Sequence, residues 1–156
     1  MTRIAASVLE PDGYGALVSL CIGPDDSVGS ALLDDPTVPL VSATGSTRMG
    51  RIVSQRVAAR LGRTLLELGG NNAIIVWKDA DLDMAIRAIV FGAIGTAGQR
   101  CTSTRRVLAH EGILPELQER LKKAYSQIQA GDPMESKTLL GPVIDTGTVE
   151  QFTAAV

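Results

Sequence analysis

Apolar and polar positions alternate along this chain in two rhythms, one of a strand and one of a helix, taken in turn. Ala6 to Leu9 read as the tail of a helix that stops at Pro11–Gly13. Ala16 to Gly23 (ALVSLCIG) is a nearly continuous apolar run closed by glycine, the pattern of a strand buried on both faces, with Cys21 as core filling. SVGSALLDD then reads as a short helix, and Val38 to Gly45 as a second strand. From Ser46 a strongly amphipathic helix runs to Leu61, with Gly62 as its C′ glycine. Its Met49, Ile52, Val53 and Val57 side faces inward, and Arg48, Arg51, Arg56 and Arg60 form a solvated face.

Downstream the rhythm continues. TLLELGG is a third extended segment and Ala73 to Trp77 a fourth. Asp79 or Asp81 caps the next helix, which carries acidic residues in its first turn and reaches Gly95. RRVLAHE is a fifth strand, and Leu114 to Ala130 is a helix with Leu114, Leu117, Leu121, Ala124 and Ile128 on one face. GDPMESKTLLGPVI is a loop before a last helix. Alternation of this kind predicts an α/β fold with parallel strands.

Composition narrows the function classes. The 156 residues are 45% hydrophobic and 21% charged, with a formal charge of −2, which is globular and gives no field for nucleic acid or an acidic membrane. Cys21 and Cys101 are the two cysteines and His110 the one histidine, too few for a disulfide framework or a zinc cluster, so no metal is expected. The first residues lack a secretory pattern, and Ala88 to Gln99 is too short to span a bilayer; a reducing, cytoplasmic setting is the expectation.

Chemistry can sit in three places. In VSATGSTRMG a strand enters a helix at Gly45, Ser46 and Thr47, where helix N–H groups suit an anion such as a diphosphate; an ordinary Ser46 N-cap is the competing reading. Arg51 and Ile52 stand where a Walker A loop needs lysine and a hydroxyl, so this is not one. In TLLELGGNNA the lone carboxylate Glu67 sits between leucines. Buried, it would be a general base near neutral pH; on a wet strand face it would be ordinary. In GTAGQRCTSTRR, Cys101 lies beside Arg100, Arg105 and Arg106, whose charge favours a thiolate, against the default of a buried inert thiol.

Taken together, ATGSTRMG, LLELGGNNA and GTAGQRCTSTRR closely resemble three motifs of the aldehyde dehydrogenase superfamily, and 34 residues lead from Glu67 to Cys101, as in that family. DADLDMAI and GDP…LLGPVID extend the resemblance over the whole chain. LELGGNNA with GTAGQRCT is most similar to the α-aminoadipic semialdehyde (antiquitin) group; most relatives carry lysine-serine where this chain has Asn71 and Asn72.

The resemblance implies a partial aldehyde dehydrogenase fold: residues 1–68 as the end of a Rossmann-like NAD(P)-binding domain and 69–156 as the start of the catalytic α/β domain. It implies Cys101 as nucleophile, its backbone N–H as half of an oxyanion hole, and Glu67 as the base that activates water. Ser46 after Gly45 would touch the cofactor diphosphate, and Leu68 and Gly69 would lie near the nicotinamide, with NAD as cofactor and NADP compatible. Arg100 would orient a polar or acidic substrate, or else be structural. His110 as base of a cysteine hydrolase is a minor alternative.

The family is about three times as long, and its oxyanion asparagine, ribose-binding lysine and Glu-x-Phe-Gly-Pro glutamate fall outside residues 1–156. A small-molecule aldehyde is the expected partner, and the full-length family implies a homo-oligomer. A non-catalytic remnant that needs complementary chains is the competing expectation, with open apolar edges such as Ala16–Ile22 driving self-association.

Overall fold

The computed structural model describes residues 1–156 and divides into two compact units, Met1–Glu67 and Leu68–Val156. In the first unit, α1 (Thr2–Leu9) gives way to a 3₁₀ turn, Glu10–Asp12, that carries Pro11 near its start and closes on Gly13 at φ +78°. A second 3₁₀ turn spans Gly15–Leu17, and one π turn, Asp25–Gly29, leads into α2 (Ser30–Asp34).

The expected strand over Ala16 to Gly23 is absent. No strand of the chain pairs with this run, and Leu20 and Ile22 are exposed. A strand is held by its neighbour's hydrogen bonds, so apolar composition alone does not create one. Cys21, expected as core filling, is exposed for the same reason.

β1 (Leu40–Gly45) and β2 (Arg63–Leu68) pair in a two-stranded sheet. Between them lies α3 (Thr47–Ala59), which buries Val53 and Val57 as its pattern requires. Arg63 N–H donates to Pro39 C=O at 2.9 Å, setting the starts of the two strands side by side.

The arginine face of α3 is only partly solvated. Arg56 pairs with Asp34 and donates to Ser30 Oγ at 3.0 Å, while Arg60 donates to the carbonyls of Leu33 and Val38 at 2.6 Å each. These two arginines fasten α3 to α2 and to the segment entering β1. Their partners lie 22 to 27 residues upstream, beyond the reach of helical periodicity.

The C-terminus of α3 also differs from expectation. Leu61 at φ +62° is the left-handed residue, and Gly62 follows it. Leu61 N–H donates to Ala58 C=O at 2.9 Å and Gly62 N–H to Val57 C=O at 3.0 Å, the paired bonds of a Schellman motif with Gly62 one place past C′.

In the second unit, β3 (Ala73–Val76) pairs parallel with β4 (Arg106–Ala109) in the register Ala73–Arg106 to Val76–Ala109. The crossover is α4 (Leu82–Ile94), capped by Asp81, whose carboxylate accepts from Asp83 N–H at 2.9 Å and Met84 N–H at 3.1 Å. α5 (Leu114–Tyr125) then packs on α4 and ends short of the expected Ala130, in turns over Ser126 to Ile128. Val76, Ile89 and Leu117, one residue from each of β3, α4 and α5, form the buried centre of this unit. α6 (Thr146–Ala155) is capped by Asp145. No helix is long and apolar enough to cross a membrane.

Candidate active site

The candidate residues divide between the units. Gly45, Ser46 and Glu67 belong to the first; Leu68, Gly69, Arg100 and Cys101 belong to the second.

At the end of β1, Ser46 is the N-cap of α3, and its Oγ accepts from Met49 N–H at 3.1 Å. The capping role weighed as the ordinary reading is therefore the observed one. The turn is nonetheless exposed, has no acidic residue in its first helical turn and carries Arg48 there. A Cβ at Gly45 would come within 2.5 Å of Met49 Cε, so a larger residue there would displace the end of that side chain. An exposed positive helix end beside a hydroxyl, with no carboxylate to repel an anion, fits a diphosphate.

Glu67 lies near the end of β2, where Leu66 and Leu68 are half-buried and Leu65 and Glu67 exposed. The alternation is as expected, and the carboxylate is on the exposed side of the strand. In the second unit, Gly69 is surrounded by open space, so a ligand could come close to its backbone.

Cys101 sits in the loop between α4 and β4. The loop begins with three residues in left-handed geometry, Thr96 at φ +56°, Ala97 at φ +53° and Gly98 at φ +71°. Gln99 Nε2 donates to Thr96 C=O at 2.9 Å, and Arg100 Nε donates to Thr96 Oγ1 at 2.7 Å. The loop ends where Thr104 N–H donates to Gly92 C=O at 2.9 Å. A Cβ on Gly92 would collide with Thr104 Oγ1, which explains the glycine inside α4.

The thiol of Cys101 is exposed, as a nucleophile's must be. Two of the three neighbouring arginines have partners of their own. Arg100 is directed to Thr96 and lies over the Phe91 ring, 5.7 Å from its centroid, and Arg106 donates to Asn71 C=O at 2.9 Å. His110 is also committed elsewhere. Its Nδ1 accepts from Gly112 N–H at 3.0 Å and its ring meets Trp77 edge-on at 4.9 Å, a structural role that removes the support for a cysteine hydrolase. Behind the loop lies an open cavity of about 750 Å³, lined by Gln99, Ser103, Arg105, Val149 and Phe152 among others, which the Cys101 thiol does not line. No group of histidine, cysteine and carboxylate side chains could hold a metal ion.

The sequence profile of the aldehyde dehydrogenase family matches residues 1–156. The chain belongs to the aldehyde dehydrogenase family.

It is 49% identical over its whole length to the α-aminoadipic semialdehyde dehydrogenase of Bos taurus, of which it spans 29%. It is 50% identical over 92% of its length to aldehyde dehydrogenase family 7 member A1 of Brassica napus, again spanning 29% of that protein. Among solved structures, the aldehyde dehydrogenase of Brucella melitensis superposes with a TM-score of 0.87 at 31% identity, covering 95% of this chain and 31% of its own. A Staphylococcus aureus betaine aldehyde dehydrogenase variant in complex with NAD+ gives 0.87 at 28% identity, covering 96% and 30%. The chain thus carries about 30% of the length of the aldehyde dehydrogenases it matches, in a mixed α/β arrangement that agrees with the partial family fold expected from its motifs.

Two residues of this aldehyde dehydrogenase chain escaped the sequence reading. Ser103 is the buried polar side chain of the molecule, and Asn72 Nδ2 donates to Cys101 C=O at 2.6 Å. The visible signal was the asparagine pair after Gly69–Gly70, together with the hydroxyl run after Cys101.

Proposed function

We propose that these residues serve an NAD(P)-dependent oxidation of an aldehyde to a carboxylic acid, with an amino-acid-derived semialdehyde such as α-aminoadipic semialdehyde as substrate. The observation that carries this reading is the 49% identity with α-aminoadipic semialdehyde dehydrogenase across the entire chain. Residues 1–68 belong on this reading to the cofactor domain and 69–156 to the catalytic domain, a boundary that falls beside the division between the two compact units.

The Cys101 thiolate adds to the aldehyde carbon, forming a C–S bond, and the carbonyl oxygen takes the negative charge against the Cys101 backbone N–H. A bound nicotinamide supplies the hydride acceptor that oxidation of this adduct requires. Gly45 and Ser46, at the exposed end of α3, would hold its diphosphate, and the backbones of Leu68 and Gly69 would border its ring. The Cys101 thioester is then hydrolysed as Glu67 takes the proton of the attacking water, which breaks the C–S bond and restores the thiolate. Arg100 is exposed beside the nucleophile with its Nε held by Thr96 Oγ1; either its two terminal nitrogens would pair with an acidic substrate chain, or the residue is structural.

A competing reading is that these 156 residues are inactive alone, needing complementary chains or doing nothing; they span 29% of that relative's length.

The two readings separate on one measurement. Purified protein given NAD and α-aminoadipic semialdehyde should form NADH, Cys101→Ala should abolish this, and Glu67→Gln should slow it by at least about a hundredfold. NADH formation that survives Cys101→Ala overturns the mechanism. Neither turnover nor nicotinamide binding by calorimetry leaves the second reading.

A further inference from the structure

The backbone of Cys101 is gripped on both sides by residues that take no part in the proposed reaction. The direction of its Cα–Cβ bond is set by the two peptide planes that flank Cα, so fixing both planes fixes the Cβ from which the thiol's staggered positions extend, and the direction of the Cys101 N–H. The first plane contains the Arg100 carbonyl, which accepts from Ser103 N–H at 3.2 Å, while Arg100 N–H donates to Ser103 Oγ at 3.0 Å. The second plane contains the Cys101 carbonyl, which accepts from Asn72 Nδ2 at 2.6 Å. The same Nδ2 donates to the Ser103 carbonyl at 3.1 Å.

The gripping residues are themselves anchored. Ser103 is 2% exposed. The Asn72 carbonyl accepts from Arg105 N–H at 3.0 Å and Arg106 N–H at 3.1 Å, at the entrance to β4. A carboxamide nitrogen has two hydrogens to give, and Asn72 gives them to two carbonyls on either side of Thr102. A serine in its place would have one hydrogen to give, and an aspartate none.

We propose that Asn72 is a positioning residue whose carboxamide, by holding the carbonyls of Cys101 and Ser103, fixes the backbone from which the Cys101 thiol and N–H are presented to a substrate. The proposal rests on the reading of Cys101 as nucleophile. Two thiol reactions separate aim from access. Alkylation by iodoacetamide forms a C–S bond and expels iodide, and needs only an exposed thiolate. Acylation by p-nitrophenyl acetate forms a thioester and expels p-nitrophenolate, and benefits from an N–H aimed at the oxyanion and from a fixed approach.

The test uses the 156-residue chain with Cys21→Ser, which leaves Cys101 as its one thiol, and compares Asn72 with Asn72→Ser and Asn72→Asp. In the aspartate variant acylation of Cys101 should fall by about tenfold or more while alkylation changes by less than about twofold. The serine variant should lie between, and Ser103 amide exchange should quicken in the same order. Acylation and alkylation that fall together, or acylation that is unchanged, overturn the proposal. If the parent Cys101 is acylated no faster than a small free thiol, the nucleophile reading fails by itself. Ser103 amide exchange then decides the grip, and an unchanged rate in Asn72→Asp overturns it. Should Asn72→Asp fail to fold, Asn72→Ser carries the same comparison.

Discussion

Gln99 Oε1 accepts a hydrogen bond from Ile144 N–H at 2.8 Å, while the same side chain donates through Nε2 to Thr96 C=O at 2.9 Å. One amide therefore ties the left-handed start of the cysteine loop to the segment that leads into α6. Left-handed geometry at Thr96 and Ala97 disfavours each residue by about 1–2 kcal/mol, so the turn persists only while such contacts hold it. Gln99→Leu should lower the stability of the second unit by about 1 kcal/mol per hydrogen bond lost, read from urea unfolding. Amide exchange at Ile144 should rise with it. Unchanged exchange there would show that water replaces the glutamine without consequence.

Leu61 and Gly62 make a prediction of opposite signs at adjacent positions. Leu61 is 94% exposed, so its side chain contributes no packing to offset its φ of +62°. Leu61→Gly removes the strain but adds freedom to the unfolded chain, and a net gain of about 0.5–1 kcal/mol is expected. Gly62→Ala places a Cβ 2.8 Å from Val57 Cγ1, on a fully buried side chain, and should destabilise by about 1–3 kcal/mol. Thermal unfolding of the two variants measures both, and a stabilising Gly62→Ala would mean that α3 ends differently.

Acid should weaken the contact between α2 and α3. The Asp34 carboxyl is held below its ordinary value, first by the hydrogen bond from Arg56 and then, against the opposing effect of burial, by the charges of Arg56 and Arg60. Because the folded pKa is the depressed one, its stabilising effect is complete above the unfolded value of about 4 and is lost as pH falls through the folded value. Asp35 is lowered in the same sense by hydrogen bonds from Thr37. The unfolding midpoint of the wild-type chain should therefore drop between about pH 5 and pH 2, and Asp34→Asn should flatten that slope. A slope as steep in Asp34→Asn as in the parent would place the acid sensitivity elsewhere.

Features encoded locally were legible in the sequence, and features made by distant partners were not. The apolar spacing of α3, the Asp81 cap of α4 and the alternation of β2 all lie within a few residues of each other, and the structure places them within a few positions of the reading. The C′ assignment failed because a glycine at C″ and one at C′ differ by a single position that only backbone φ reveals. Arg56 and Arg60 looked solvated because Asp34, Leu33 and Val38 reach them through tertiary packing. The run at Ala16 to Ile22 misled most, since a strand needs a partner and its composition carried no information about one. At the candidate site, the order of Gly45, Glu67 and Cys101 was readable, whereas the grip of Asn72 on Cys101 joins residues 29 apart.

The sheet of β3 and β4 is covered on one face only. Ile74, Val76 and Ala109 face the core with α4 and α5, while Ile75, Trp77 and Leu108 are exposed by 73%, 57% and 49%. Fully covering an apolar side chain of this size is worth about 1.5–3 kcal/mol, and the partly exposed trio of each of two copies together offsets, without far exceeding, the roughly 4–15 kcal/mol that association costs. Weak, reversible self-association of this chain is therefore expected, growing with concentration and not locking into a tight dimer. Sedimentation velocity over a broad concentration range measures it directly. Ile75→Lys with Leu108→Lys should shift the chain toward monomer and leave the unfolding midpoint nearly unchanged, because neither side chain belongs to the Val76–Ile89–Leu117 centre. A monodisperse monomer at every concentration, or association that the double variant does not reduce, would remove this face as the cause.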